Sequence, residues 1–142
     1  MAVYQEVEAV INSIPAAAPF SMTRAKEPFS FDLQPSTEAD RVYFVRGALV
    51  EAQGYLGMHQ AERHAIEVWM ARKVKRNAQG AYESLQADCS SMIAALARIH
   101  QSSPVDFFVE EDVLRSEVEN PAEEADFLIA KVEAIVNFDR AL

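Results

Sequence analysis

His59, His64 and His100 are the side chains of this chain that change charge near neutral pH, so they are the first place to look for proton transfer or metal ligation. His59 and His64 are close enough in sequence to approach one another on neighbouring backbone, but no Glu or Cys stands at ligand spacing from them. Tetrahedral zinc needs three or four such groups, so the spacing points away from a metal site. Cys89 falls on the apolar stripe of a helical segment, where a cysteine acts as a small hydrophobe and lacks the exposed, electropositive setting of a nucleophile. Gly47, Gly54, Gly57 and Gly80 form neither Gly-x-Gly-x-x-Gly nor Gly-Lys-Ser/Thr, so there is no phosphate loop and they read as turn and strand-break residues. Glu110, Glu111, Asp112, Glu117 and Glu119 supply oxygen without the loop spacing of a calcium site, and read as a solvated strand face. With no nucleophile, metal, cofactor or nucleotide motif, the expectation is a protein that is not an enzyme.

Charge is distributed unevenly. The net charge is −9 over 142 residues, which removes the cationic drive for nonspecific nucleic-acid binding. Yet Arg72, Lys73, Lys75 and Arg76 concentrate four of the thirteen basic residues in one short segment. From Asp106 to Asp139, by contrast, acids dominate and Arg115 and Lys131 are the bases. Opposite patches on different faces of one subunit are what a head-to-tail contact requires, and such contacts close into rings when the rotation permits. The expected interface residues are Arg72, Lys73, Lys75 and Arg76 on one side and Glu110, Asp112, Glu117 and Glu119 on the other.

These groups must be positioned by elements whose period is legible. Val3, Val7, Val10, Ile11 and Ile14 give a short amphipathic helix over residues 2–14, ended by Pro15. The stretch from Ala16 to Pro28 is long, Pro-bearing loop chemistry, expected to be a contact arm that is mobile in the free subunit and orders on binding. Phe29, Phe31 and Leu33 alternate with Ser30 and Asp32 and predict a strand closed by Pro35. The run from Arg41 to Val50 is β-branched and aromatic on both faces and predicts a central strand, and His64 to Val74 predicts a third. Short links between the three favour antiparallel pairing. Tyr82, Leu85, Cys89, Met92, Ile93, Leu96 and Ile99 form a continuous stripe, so a helix over 81–100 lies across the sheet with Leu85, Cys89, Met92, Ile93 and Leu96 inward. Residues 107–118 and 127–138 return to period two and form a hairpin through Asn120 and Pro121. Ala, Glu and Leu at 122–130 also suit a helix, and alternation decides for strand.

The expected fold is therefore α+β: helix, three strands, helix, two-strand hairpin, as an antiparallel sheet of about five strands with both helices packed on one face, in a single domain over 1–142. At this length a chain can bury roughly 68–70% of its unfolded surface. A single cysteine gives no intrachain disulfide, and the first residues lack a signal peptide's basic and apolar runs; no apolar stretch approaches the about 18 residues of a membrane span. The expectation is a soluble, unprocessed chain made in a reducing cytosol, with no membrane partner.

The order of elements, together with the stretch His64-Ala-Ile-Glu-Val-Trp-Met-Ala and, after a short basic loop, Tyr82-Glu-Ser-Leu-Gln-Ala-Asp, resembles the tail terminator, or tail completion, proteins of long-tailed bacteriophages and phage-derived particles. In that family an N-terminal helix precedes antiparallel strands, a strand with a Val-Trp or Val-Phe pair leads into a long helix, and the chain finishes in a long strand. The resemblance covers most of the chain. It implies a structural virion protein: subunits form a ring, usually a hexamer, at the head–tail junction, end tail-tube polymerisation and offer the docking surface for the head. The implied partners are other copies of the chain, the tail tube protein and a head-tail connector or stopper protein, while DNA passes through an acidic lumen without specific binding. Another neck protein is the neighbouring alternative, and a small α+β ligand-binding domain or enzyme the competing class.

Overall fold

The computed structural model describes residues 3–17, 20–35, 39–55, 59–74, 78–99, 106–119 and 126–141. The elements run α1 (Val3–Ala16), β1 (Thr23–Arg24), β2 (Arg41–Tyr55), β3 (His59–Lys73), α2 (Ala78–Ala97), β4 (Asp106–Glu119) and β5 (Phe127–Ala141). They form one five-stranded sheet in the order β1-β2-β3-β5-β4, with antiparallel pairing from β2 through to β4. The fold is α+β in the expected succession.

Side-chain period fixes which residues face the helices. Even positions of β3 and β5, among them Ile66, Val68, Met70, Leu128, Val132 and Val136, join Tyr43 of β2 in the main core. Leu85, Cys89, Met92 and Leu96 of α2 are buried against them, and Ile93 packs at the margin, as the helical stripe requires. Ile11 of α1 closes the same core over β2, where the Tyr43 hydroxyl donates to the Asn12 carbonyl at 3.3 Å. Pro15 lies in the last turn of α1 rather than beyond it, where it removes one backbone N–H that would bond the carbonyl four residues earlier, and the helix stops one residue later.

Three expectations are corrected. Phe29–Leu33 is a tight turn and not a strand: Ser30 and Leu33 exchange backbone hydrogen bonds, and the Ser30 hydroxyl accepts the Asp32 N–H at 3.3 Å. A local serine bond competes with extension, so the alternation there marks burial without marking a strand. The first strand is instead Thr23–Arg24, and it pairs in parallel with Val42 and Tyr43, so the sheet is mixed. β3, not β2, is the middle strand.

The expected mobile arm is also corrected for its described residues. Phe20 and Met22 are buried in the main core. The N–H groups of Ser21 and Met22 donate to Ala17 and Pro15 carbonyls, which supplies acceptors at the end of α1 with partners. Ser21 takes φ 50°, a left-handed value costing a non-glycine roughly 1–2 kcal/mol, and this turn returns the chain to the sheet. β2 and β3 also run further than expected, to Tyr55 and from His59, because each ladder partner continues alongside. Among the described residues no helix is long and apolar enough to cross a membrane.

Candidate functional site

The sheet face turned away from the helices has two unlike halves. One half is a second apolar cluster of Val42, Phe44, Trp69, Ala71, Phe127 and Ile129, covered by Phe29 with Phe31 at its margin. Phe29 meets Phe44 edge-on at 5.0 Å, Phe31 meets Trp69 at 5.0 Å, and Phe44 stacks parallel to Trp69 at 6.0 Å. Gln34 fastens this strap, since its amide donates to the Phe127 carbonyl at 3.3 Å and accepts the Phe127 N–H at 2.9 Å, much as a neighbouring strand would.

Beyond the strap the same face is open and charged. It forms a trough of about 460 Å3 between Arg46 and Gly47 of β2, Arg63, Ala65 and Glu67 of β3, Glu133 and Ile135 of β5, and Val113 and Arg115 of β4. A bulge builds one wall: residues 111–114 of β4 stand between the pairs Glu110↔Ile135 and Arg115↔Glu133, so the strand bends and brings Val113 to the rim. Lys131 stands at the border of the two halves, 5.3 Å above the Trp69 ring and 5.7 Å from Phe31. Its ammonium pairs with Glu133 at 3.0 Å and Glu67 at 3.9 Å, and the bond to Glu133, more than its other neighbours, raises its pKa above the ordinary lysine value.

Arg63 grips Glu110 with two parallel bonds of 2.9 Å each, and the Asn137 amide adds a third at 3.0 Å. Those bonds, Arg63 first and Asn137 second, hold the Glu110 carboxyl down at about 2 against the usual 4.5. Arg115 pairs with Glu133 at 3.2 Å. Arg46 is exposed and has no ion pair among the described residues.

The expected interface residues are not all available for a partner. Arg72 faces the helices, and with Arg41 it forks onto Asp88 of α2, at 3.2 and 3.1 Å. Its charge fastens helix to sheet. Lys73 closes β3, its N–H bonded to the Asp40 carbonyl at 2.8 Å. Lys75 and Arg76 lie outside the described residues. On β4, Glu110 is held within the chain, Asp112 lies in the bulge, Glu117 is exposed opposite Lys131, and Glu119 pairs in register with Ile129. Since Arg72 sits opposite Leu128 and Glu119 opposite Ile129, the end of the basic segment and the end of the acidic strand share one end of the sheet, with β5 between them.

His64 is fully buried, and its Nε2 meets the Glu62 carboxylate at 3.0 Å. Sequence reasoning missed this acid, although residues two apart on a strand share a face. Cys89 is a core residue whose thiol burial, helped by Asp88, pushes its pKa up to about 11, so it stays protonated at neutral pH. Arg46, Arg63 and Lys131 were likewise missed; their signal was basic residues at back-facing positions of long strands. No protein-family model matches the chain, and a search of curated proteins gives no match either.

Proposed function

We propose that the protein is a structural ring subunit that caps the head-proximal end of a phage tail tube, stops tube growth and presents the docking surface for the head. The observation that carries this reading is the succession of elements. A terminal helix, strands running into Val68 and Trp69, a long helix over their apolar face and a final hairpin of 14- and 15-residue strands follow the order of the tail terminator family. The acids of β4, exposed Glu117 among them, would line or flank a lumen through which DNA slides because carboxylates repel phosphate. In this role the chain meets its own copies, the tube protein and a connector or stopper, at the head–tail junction of the particle.

Electron microscopy of particles made without the protein is the test. Tails of uncontrolled length that fail to join heads are expected. Normal tail lengths, or density for this chain anywhere but the junction, would refute the role.

A second reading is favoured by the trough: a ligand-binding domain using Arg46 over an apolar floor. That protein has no need to form a ring, so its native mass separates it from the first.

A further inference from the structure

Among the described residues the sheet is open at both sides. Along β2, β1 covers Val42 and Tyr43 and the Ala25 N–H bonds the Tyr43 carbonyl, while from Phe44 to Tyr55 no described strand pairs with the outer edge. On the other side, β4 pairs with β5 alone, which leaves its outer edge without a described partner over Asp106–Glu119. Such edges expose rows of backbone donors and acceptors and are templates for another strand.

The two edges differ in charge. β4 carries Asp106, Glu110, Glu111, Asp112, Glu117 and Glu119 against Arg115. On the β2 side exposed Arg24, Lys26 and Arg46 are set against exposed Glu27 and against Glu51 further along β2, so this side is near neutral where β4 has an excess of acid. They differ in direction as well: alternating through β2, β3, β5 and β4, the two outer strands run oppositely. A second copy that extends the sheet in the same sense therefore meets β2 with an antiparallel β4, the better-paired arrangement.

We infer that copies of this chain join edge to edge, the outer edge of β2 in one against the outer edge of β4 in the next. The inference rests on the ring reading above and names its interface. Two β4 edges repel, acid against acid, so that two-fold alternative is disfavoured and β2 is the open edge that β4 meets without such repulsion.

Charge reversal tests it. Arg46→Glu makes both edges acidic, and the double substitution Glu117→Arg with Glu119→Arg removes acid from the β4 edge. Each variant alone should lose self-association by roughly tenfold or more at low ionic strength, read by sedimentation, with circular dichroism unchanged. Mixing the two should restore part of the assembly, because the acid-bearing β2 edge of one variant then meets the end of β4 at which arginine replaces two carboxylates in the other. Glu67 is the cross-strand neighbour of Arg46, so Lys26→Glu is the companion reversal that leaves the sheet untouched.

A folded variant that assembles as the wild type does, or a mixture that fails to reassemble, overturns the interface. So does a wild-type chain that stays monomeric, in which case the acids and bulge of β4 guard the edge against pairing. The failures are separable: a tail-capping ring that survives both reversals leaves the function standing without this interface. Edge-dependent assembly with tails of normal length in its absence leaves the interface without the tail role.

Discussion

Glu110 shows how little of a charge's role its sequence position carries. In the acidic run it reads as one solvated carboxylate among several, but Arg63, 47 residues earlier, holds it with two bonds and Asn137 with a third. The cause is register: β5 lies between β3 and β4 and brings Arg63, Asn137 and Glu110 to adjacent positions on one face. Its folded pKa of about 2 lies below the usual 4.5, so the stability it contributes is in place above about pH 4.5 and is lost as pH falls toward 2. Thermal unfolding by circular dichroism should show Glu110→Gln melting below the wild type at pH 7, with the gap closing as pH approaches 2. A gap independent of pH would mean that another group is held there. Arg72 carries the opposite lesson, because a residue read as an outward-facing contact is turned to Asp88, so reversing it perturbs the fold as well as any interface.

Among the elements, α2 was the most legible and the strap the least. Leu85, Cys89, Met92 and Leu96 recur with helical spacing, and a stripe that long has one face to bury. Leu96 has no exposed surface, so Leu96→Ala should cost about 2–5 kcal/mol in denaturant unfolding, and a neutral result would mean that α2 is seated on another face. The 29–33 segment alternates as a strand does, but period cannot distinguish a strand from a turn laid on a sheet when both bury alternate rings. Phe29 is buried and Phe31 partly so, whereas Leu33 is 59% exposed, and that break in the pattern is tertiary. Phe31→Ala should remove a ring contact worth about 1 kcal/mol and let water reach Trp69. Trp69 is the one tryptophan, so its emission should shift to the red; unchanged emission would show that the strap is not seated through Phe31.

For the whole molecule, native mass is the discriminating measurement between an assembly subunit and a small ligand-binding domain. Light scattering should return a multiple of the 15.8 kDa chain, about six copies for a closed ring, and should fall with added salt as exposed charge contacts are screened. A monomer at every concentration and ionic strength would count against the ring. The sequence by itself determined the α+β class, the number and order of helices and long strands, and the inward stripe of α2, because burial of one face imprints a period on local sequence. Tertiary structure decided what depends on neighbours remote in the chain. It replaced the expected 29–33 strand with a two-residue parallel β1, since so short a strand has no period of its own and exists because β2 supplies the ladder. It also decided which charges are engaged within the chain and which edges remain open, because pairing across β3, β5 and β4 is set by register between segments dozens of residues apart.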